Sequence, residues 1–301
     1  MFQSINPLYP VLLSLLIAYL RNPIYSENRI TNQVDPVAST QTAGNILLLT
    51  AHPDDECMFF APTVLALAVL QSPTVSGARD PRSALYSLCL SVGNADGLGP
   101  IRKYELESSL DILGVASDKR MVLDHPDLQD NSTAYWDSDI IANVLKPYIL
   151  ENRITTILTF DEDGISGHPN HRSLPAGVKQ LMSTLKEVQL FTLITTPLPT
   201  KYGGIIAPVL AKFDLYASAL LHLLETQLTR VLLKFDVSIS PSSQEEPRPE
   251  TMPVFVSGLK EYWAAVQAMR AHPSQLVWFR WLYILFSRYM WVNEWNEVRV
   301  A

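Results

Sequence analysis

From residue 44 onward the chain alternates short, continuously apolar runs with longer runs of mixed character. Residues 45–50, Asn-Ile-Leu-Leu-Leu-Thr, are too few for a stable helix and apolar at successive positions. That pattern predicts a central parallel strand covered on both faces. A helix is expected over 58–70, with Pro62 tolerable only in its first turn. Strand 84–92 follows, then a helix over 99–113, where Ile101, Leu106 and Leu110 recur among Arg102, Lys103, Glu105 and Glu107. A weak strand at 121–123, a helix at 137–151, a strong strand at 154–160, a helix at 171–185 and a strand at 189–195 continue the alternation. The expected fold class is α/β: a Rossmann-like, mostly parallel sheet with helices on both faces.

The ends of the chain break this rhythm. Residues 8–20 are uncharged, with Arg21 and Arg29 following, and read as a membrane anchor, the alternatives being a cleaved signal or a hydrophobic arm. Basic residues on its C-terminal side place the rest of the chain in the cytoplasm. The division expected is an anchor at 1–22, a polar Pro-containing linker at 23–43 and one domain over 44–301. Residues 207–235 are long and apolar, interrupted by Lys212, Asp214, His222, Glu225 and Arg230. A Ser/Pro/Glu-rich stretch at 238–253 reads as a flexible loop, and 258–269 as a helix. Five of the six tryptophans, Trp263, Trp278, Trp281, Trp291 and Trp295, gather near Arg280 and Arg288. An aromatic helix of that kind suits either a membrane interface or a cap on the sheet.

Composition narrows the chemistry. The 301 residues are 48% apolar, enough for one large core, and carry a net charge of −7 with scattered Lys and Arg. No nucleic-acid partner is expected from that balance. The two cysteines, Cys57 and Cys89, exclude a disulfide framework.

Three polar clusters fall at the expected carboxyl ends of strands, where open α/β sheets bind ligands. They are His52-Pro-Asp-Asp-Glu56, Gly93-Asn-Ala-Asp-Gly97 and the stretch from Asp161 to His171, which contains Gly167-His-Pro-Asn-His171. His52 and Asp55 lie three apart and can meet at one ion after a turn at Pro53. With His171 they complete a three-ligand set for a catalytic zinc with an open position. Asp54 would face that position as a base, and His168 would stabilise the oxyanion. Glu56 is assigned to orienting an imidazole. Metal-assisted hydrolysis is the reaction class this pattern predicts. His125-Pro126 and His272-Pro273 read as loop features.

Ala51-His-Pro-Asp-Asp-Glu56 together with Gly164-Ile-Ser-Gly-His-Pro-Asn-His171 resembles the PIG-L/LmbE-type de-N-acetylase family. Gly93-Asn-Ala-Asp-Gly-Leu-Gly99 with Arg102 and Glu105, Thr159-Phe-Asp161, Trp278-Phe-Arg280 and Phe286-Ser-Arg-Tyr-Met290 are similar to its eukaryotic branch. That branch de-N-acetylates N-acetylglucosaminyl-phosphatidylinositol in GPI-anchor synthesis. The resemblance spans most of 45–293 and weakens between about 201 and 256. It implies zinc on His52, Asp55 and His171, Asp54 as general base and His168 against the intermediate. Asn170 stands where many bacterial relatives carry Asp, so it can orient His168 without adding charge. Arg102 suits either the substrate phosphate or a salt bridge, and Asp96 either sugar hydroxyls or a turn; Asn94 shares their loop. The implied setting is the cytoplasmic face of the endoplasmic reticulum membrane, with a glycolipid substrate. A soluble N-acetylglucosamine conjugate as substrate, and a non-catalytic scaffold, are the alternatives.

Overall fold

The uninterrupted apolar run at 45–50 becomes the middle of the sheet. The computed structural model describes residues 8–26, 30, 44–71, 83–234 and 252–299. Its strands are β1 (Ile24–Tyr25), β2 (Asn45–Thr50), β3 (Leu85–Cys89), β4 (Arg120–Val122), β5 (Ile154–Phe160), β6 (Gln189–Leu193), β7 (Val254–Val256) and β8 (Val292–Val298). They form one sheet in the order β1-β7-β8-β6-β5-β2-β3-β4. β4, β3, β2, β5 and β6 run parallel, with Leu48 of β2 paired to Ser87 of β3 and to Leu158 of β5. Ile46 to Thr50 are all buried, as a strand covered on both faces requires.

Helices pack on the sheet in two groups. Ser138–Glu151 pairs with Pro169–Met182, and Leu259–Arg270 packs on Gly99–Leu113 and Ala61–Leu70. Their ends obey local chemistry. The Asp137 carboxylate accepts from the N–H groups of Asp139 (2.7 Å) and Ile140 (3.3 Å). Gly114 closes Gly99–Leu113 at φ +83°, a left-handed cap.

Three expectations change. The helix over 58–70 is two helices, Asp55–Met58 and Ala61–Leu70, with Pro62 in the first turn of the second. The aromatic region is α-helical only over Trp278–Phe286; extended Ser287 then ends it, a 3-10 turn spans Arg288–Met290, and β8 joins the sheet antiparallel to β6 and β7. Phe60 and Trp295 stack at 5.8 Å in the core, so packing rather than helical periodicity explains this tryptophan. Ile24–Tyr25, inside the polar stretch 23–43, pairs with β7; most of that stretch, and the expected loop at 238–253 up to residue 251, lies outside the described residues.

The Leu8–Leu20 helix is mostly exposed, and its 13 residues rise about 20 Å, short of a hydrocarbon core of about 30 Å. It lies against Ile206–Lys234. The segment Ile206–Val231 is long and apolar enough to cross a bilayer by length and composition, and little of it is buried. Lys212, which interrupts that apolar run in sequence, is buried and points its ammonium at the carbonyls of Asn22 (2.6 Å), Tyr19 (3.2 Å) and Leu20 (3.3 Å). It caps the C-terminal end of Leu8–Leu20.

Candidate metal centre and active site

The turn after β2 owes its shape to Asp55. Its Oδ2 accepts from the N–H groups of Ala51 (3.0 Å) and His52 (2.9 Å), leaving Oδ1 directed at His171 Nε2, 3.1 Å away. Asp54 is forced to φ +108°, a left-handed conformation that an aspartate adopts at a cost of about 1–3 kcal/mol. Strain of this kind collects at functional sites.

The hydrogen bonds assign the histidine tautomers. Asn170 Nδ2 donates to the Ala134 carbonyl (2.9 Å), and its Oδ1 accepts from Asn131 N–H (3.0 Å). That Oδ1 lies 3.0 Å from His52 Nε2, so the imidazole proton belongs on Nε2 and Nδ1 is bare. His171 Nδ1 lies 3.1 Å from the Gly164 carbonyl, which can only accept, so its Nε2 is bare too. The two bare nitrogens face each other at 3.3 Å. Phe160 stacks on the His171 ring at 4.1 Å and 7°, fixing its plane.

Three lone-pair donors therefore converge: His52 Nδ1, His171 Nε2 and Asp55 Oδ1. Ligands about 2.0–2.2 Å from a tetrahedral ion stand roughly 3.3–3.6 Å apart, close to the separations of 3.1 and 3.3 Å found here. The donor chemistry and far-side hydrogen bonds suit a divalent metal. His168 is half-buried nearby, and one ring nitrogen from each of His52, His168 and His171 falls within 4.8 Å of the others.

Charges around the site are strongly perturbed. Burial pushes the Asp54 carboxyl up to about 6, against the pull of Arg280 and Arg102. Burial also drives His52 down to about 4. Burial raises the Asp55 carboxyl, yet the neighbouring His171 and His52 rings and the His52 backbone N–H together hold it well below the usual range. Burial lowers His168.

Several residues lie elsewhere than the spacing suggests. Asn170 orients His52 through its side chain and meets His168 only through its backbone N–H, 3.2 Å from Nδ1. Glu56 meets no ligand imidazole; its Oε1 accepts from Ser109 (2.5 Å) and lies 2.8 Å from His272 Nε2, while Oε2 accepts from Asp54 N–H (3.0 Å). His272, a loop residue in sequence, is thus fully buried beneath the site. Arg102 is buried and bound to the carbonyls of Pro53 (2.6 Å) and Gly93 (3.0 Å), with Asp130 at 3.3 Å and Asp54 at 3.7 Å. Gly93, at φ +68°, leaves it room; a Cβ there would meet Nη1 at 2.5 Å. Asn94 Oδ1 accepts from Gly99 N–H (2.9 Å) and shapes the loop, and Asp96 is exposed on it.

Two site members lie outside the three strand-end clusters. Asp130, after β4, lies 3.3 Å from His52 Nε2 and 3.9 Å from His168 Nε2. Arg280, from the Trp278–Phe286 helix, reaches Asp54 Oδ2 at 3.1 Å. The motif Trp278-Phe-Arg280 is the only sequence feature that marks Arg280.

Known proteins resemble this chain in sequence and in fold. A family model described as "PIG-L: GlcNAc-PI de-N-acetylase" matches residues 47–182. The N-acetylglucosaminyl-phosphatidylinositol de-N-acetylase of Bos taurus is 38% identical over 253 residues, covering 83% of this chain and 82% of that protein. The 1D-myo-inositol 2-acetamido-2-deoxy-alpha-D-glucopyranoside deacetylase 1 of Catenulispora acidiphila is 29% identical, over 45% of this chain and 47% of its own length. Among solved structures, a deacetylase of teicoplanin biosynthesis superposes with a TM-score of 0.50 at 13% identity, covering 85% of this chain and 98% of that one, a likeness of fold.

Proposed function

The chain belongs to the PIG-L family of de-N-acetylases, and from that premise we propose that it hydrolyses the acetamide of N-acetylglucosaminyl-phosphatidylinositol, an early step of GPI-anchor synthesis. The observation that carries the chemistry is the convergence of His52 Nδ1, His171 Nε2 and Asp55 Oδ1 beside the buried Asp54 carboxyl. Zinc held by those three residues would supply Lewis acidity to the acetamide carbonyl and to the attacking water.

The chain's own groups do the rest. Asp54 takes the proton of the attacking water and passes it to the departing amine. Its raised pKa makes it a stronger base than an exposed aspartate, and Arg280 and Arg102 keep it ionised at neutral pH. His168, half-buried at the rim, donates a hydrogen bond to the tetrahedral oxyanion. Asp130 stands where it can hold the rings of His52 and His168. Asn94 and Asp96 remain the candidates for sugar contacts from the loop after β3. Acetate and a free glucosamine amine are the products.

Residues 44–301 form the deacetylase domain in this reading, joined through 23–43 to an N-terminal anchor at 1–22. The apolar helices Leu8–Leu20 and Ile206–Lys234 hold it at the endoplasmic reticulum membrane, with the site on the cytoplasmic side. The sequon Asn131-Ser-Thr133 should then stay unglycosylated in cells.

Acetate release from the glycolipid by zinc-loaded protein tests the reaction. Asp54→Asn should lower turnover by about 10²–10⁴-fold while keeping its zinc. Metal-loaded, folded protein with no turnover would refute the substrate, and failure to bind metal would refute the site.

A further inference from the structure

Two arginines approach Asp54, and they differ in what they have left to offer. Arg102 is enclosed by the Pro53 and Gly93 carbonyls and by Asp130. Arg280 bonds Asp54 through Nη2 alone. Both arginines leave Nε buried with no hydrogen-bond partner among the described residues. Both Nη groups of Arg102 have oxygen acceptors, whereas Nη1 of Arg280 rests against the Met58 thioether at 2.8 Å, a poor acceptor. A guanidinium with donors unfilled is a costly arrangement unless something anionic completes it. Its side chain is 25% exposed, against 6% for Asp54, so it stands between the base and solvent.

The helix that carries Arg280 turns the opposite way. Trp278 is 75% exposed, and Phe279, Trp281, Leu282, Leu285 and Phe286 are also exposed. Tryptophan-rich apolar faces of this kind settle at the bilayer–water boundary. Close by, the Gly204 N–H donates to the Phe286 carbonyl at 2.8 Å, which ties this helix to the start of Ile206–Lys234. One short helix thus presents apolar rings outward and a partly unfilled guanidinium inward, beside the reacting centre.

A glycolipid whose sugar is at the metal and whose tails stay in the bilayer must pass its phosphodiester through that boundary. Resting on the function proposed above, we infer that Arg280 holds the substrate's phosphodiester and sets the enzyme's preference for phosphate-bearing glycolipid over phosphate-free glycoside. The planar fork matches a phosphate at two oxygens, and the contact is charge-assisted. Arg280 bridges phosphate and Asp54 when both are present.

The test compares two soluble probes on full-length, zinc-loaded protein in detergent: N-acetylglucosaminyl-inositol phosphoglycerol and N-acetylglucosaminyl-inositol. Calorimetry gives affinity and acetate release gives kcat and KM. Arg280→Gln should weaken the phosphate-bearing probe by about 10–100-fold more than the phosphate-free one, with the difference in KM. Arg280→Lys should recover part of it, since charge returns without the fork. An equal loss on both probes, or a loss confined to kcat, overturns the inference and leaves Arg280 as a positioning residue for Asp54. Arg280-dependent binding of the phosphate without acetate release would sink the proposed reaction and leave this inference standing. Acetate release with no preference for phosphate would do the reverse, and a wild type that binds neither probe refutes both.

Discussion

At the scale of single residues, the site works by making neighbours unlike. Asp54 and Asp55 are adjacent and both buried, yet one is pushed up to about 6 by burial while the other is held low by His171. A base must be ionised to accept a proton, so kcat/KM should fall about tenfold per pH unit as pH drops below about 6. A pH–rate profile checks this, and an acid limb that survives in the residual activity of Asp54→Asn would place the titration elsewhere. The same contrast explains what was legible. His52, Asp55 and His171 announce themselves because each lies at a strand end within a short polar cluster. Arg280 does not, because it comes from 226 residues away to meet Asp54.

Elements carry the next level of control. Lys212 joins two helices by meeting the three carbonyls of Tyr19, Leu20 and Asn22, beside the Tyr19 hydroxyl bond to the Val209 carbonyl. Replacing it with Met should loosen the Leu8–Leu20 helix by about 1–3 kcal/mol. Amide exchange over residues 8–22 would speed up while acetate release from a soluble substrate stays the same. Unchanged exchange would show that apolar contact suffices. In sequence Lys212 reads as an interruption of an apolar run, because what satisfies its charge lies about 190 positions away. β8 escaped for a related reason: its inward Val292, Asn293 and Trp295 alternate too irregularly to separate from the aromatic helix before it.

For the whole molecule, the platform beneath the site is a buried charge pair, His272 with Glu56, closing 216 residues of chain. His272 is depressed by burial but raised above its ordinary 6.5 overall by Glu56, so its stabilisation is complete below 6.5 and fades as pH rises through the raised value. Glu56 lies below its ordinary 4.5, its burial outweighed by His272, so its share is present above 4.5 and fades as pH falls. The pair contributes most between pH 4.5 and 6.5. His272→Gln should cost about 3–5 kcal/mol and flatten the alkaline decline of Tm. A variant as stable as wild type across that window would refute the pairing. Chelation should lower Tm as well, by leaving His52, Asp55 and His171 converged without a cation, and zinc should restore it.

The alternation of parallel strands and helices over 45–193 and the candidate metal donors were legible in the sequence alone, because apolar periodicity and strand-end clusters are local properties. Only the tertiary structure decided which nitrogen of each histidine is bare, which arginine has donors to offer and which charge lies under Glu56. Those answers depend on side chains that fold closure brings together from distant positions, and no local pattern encodes such a meeting.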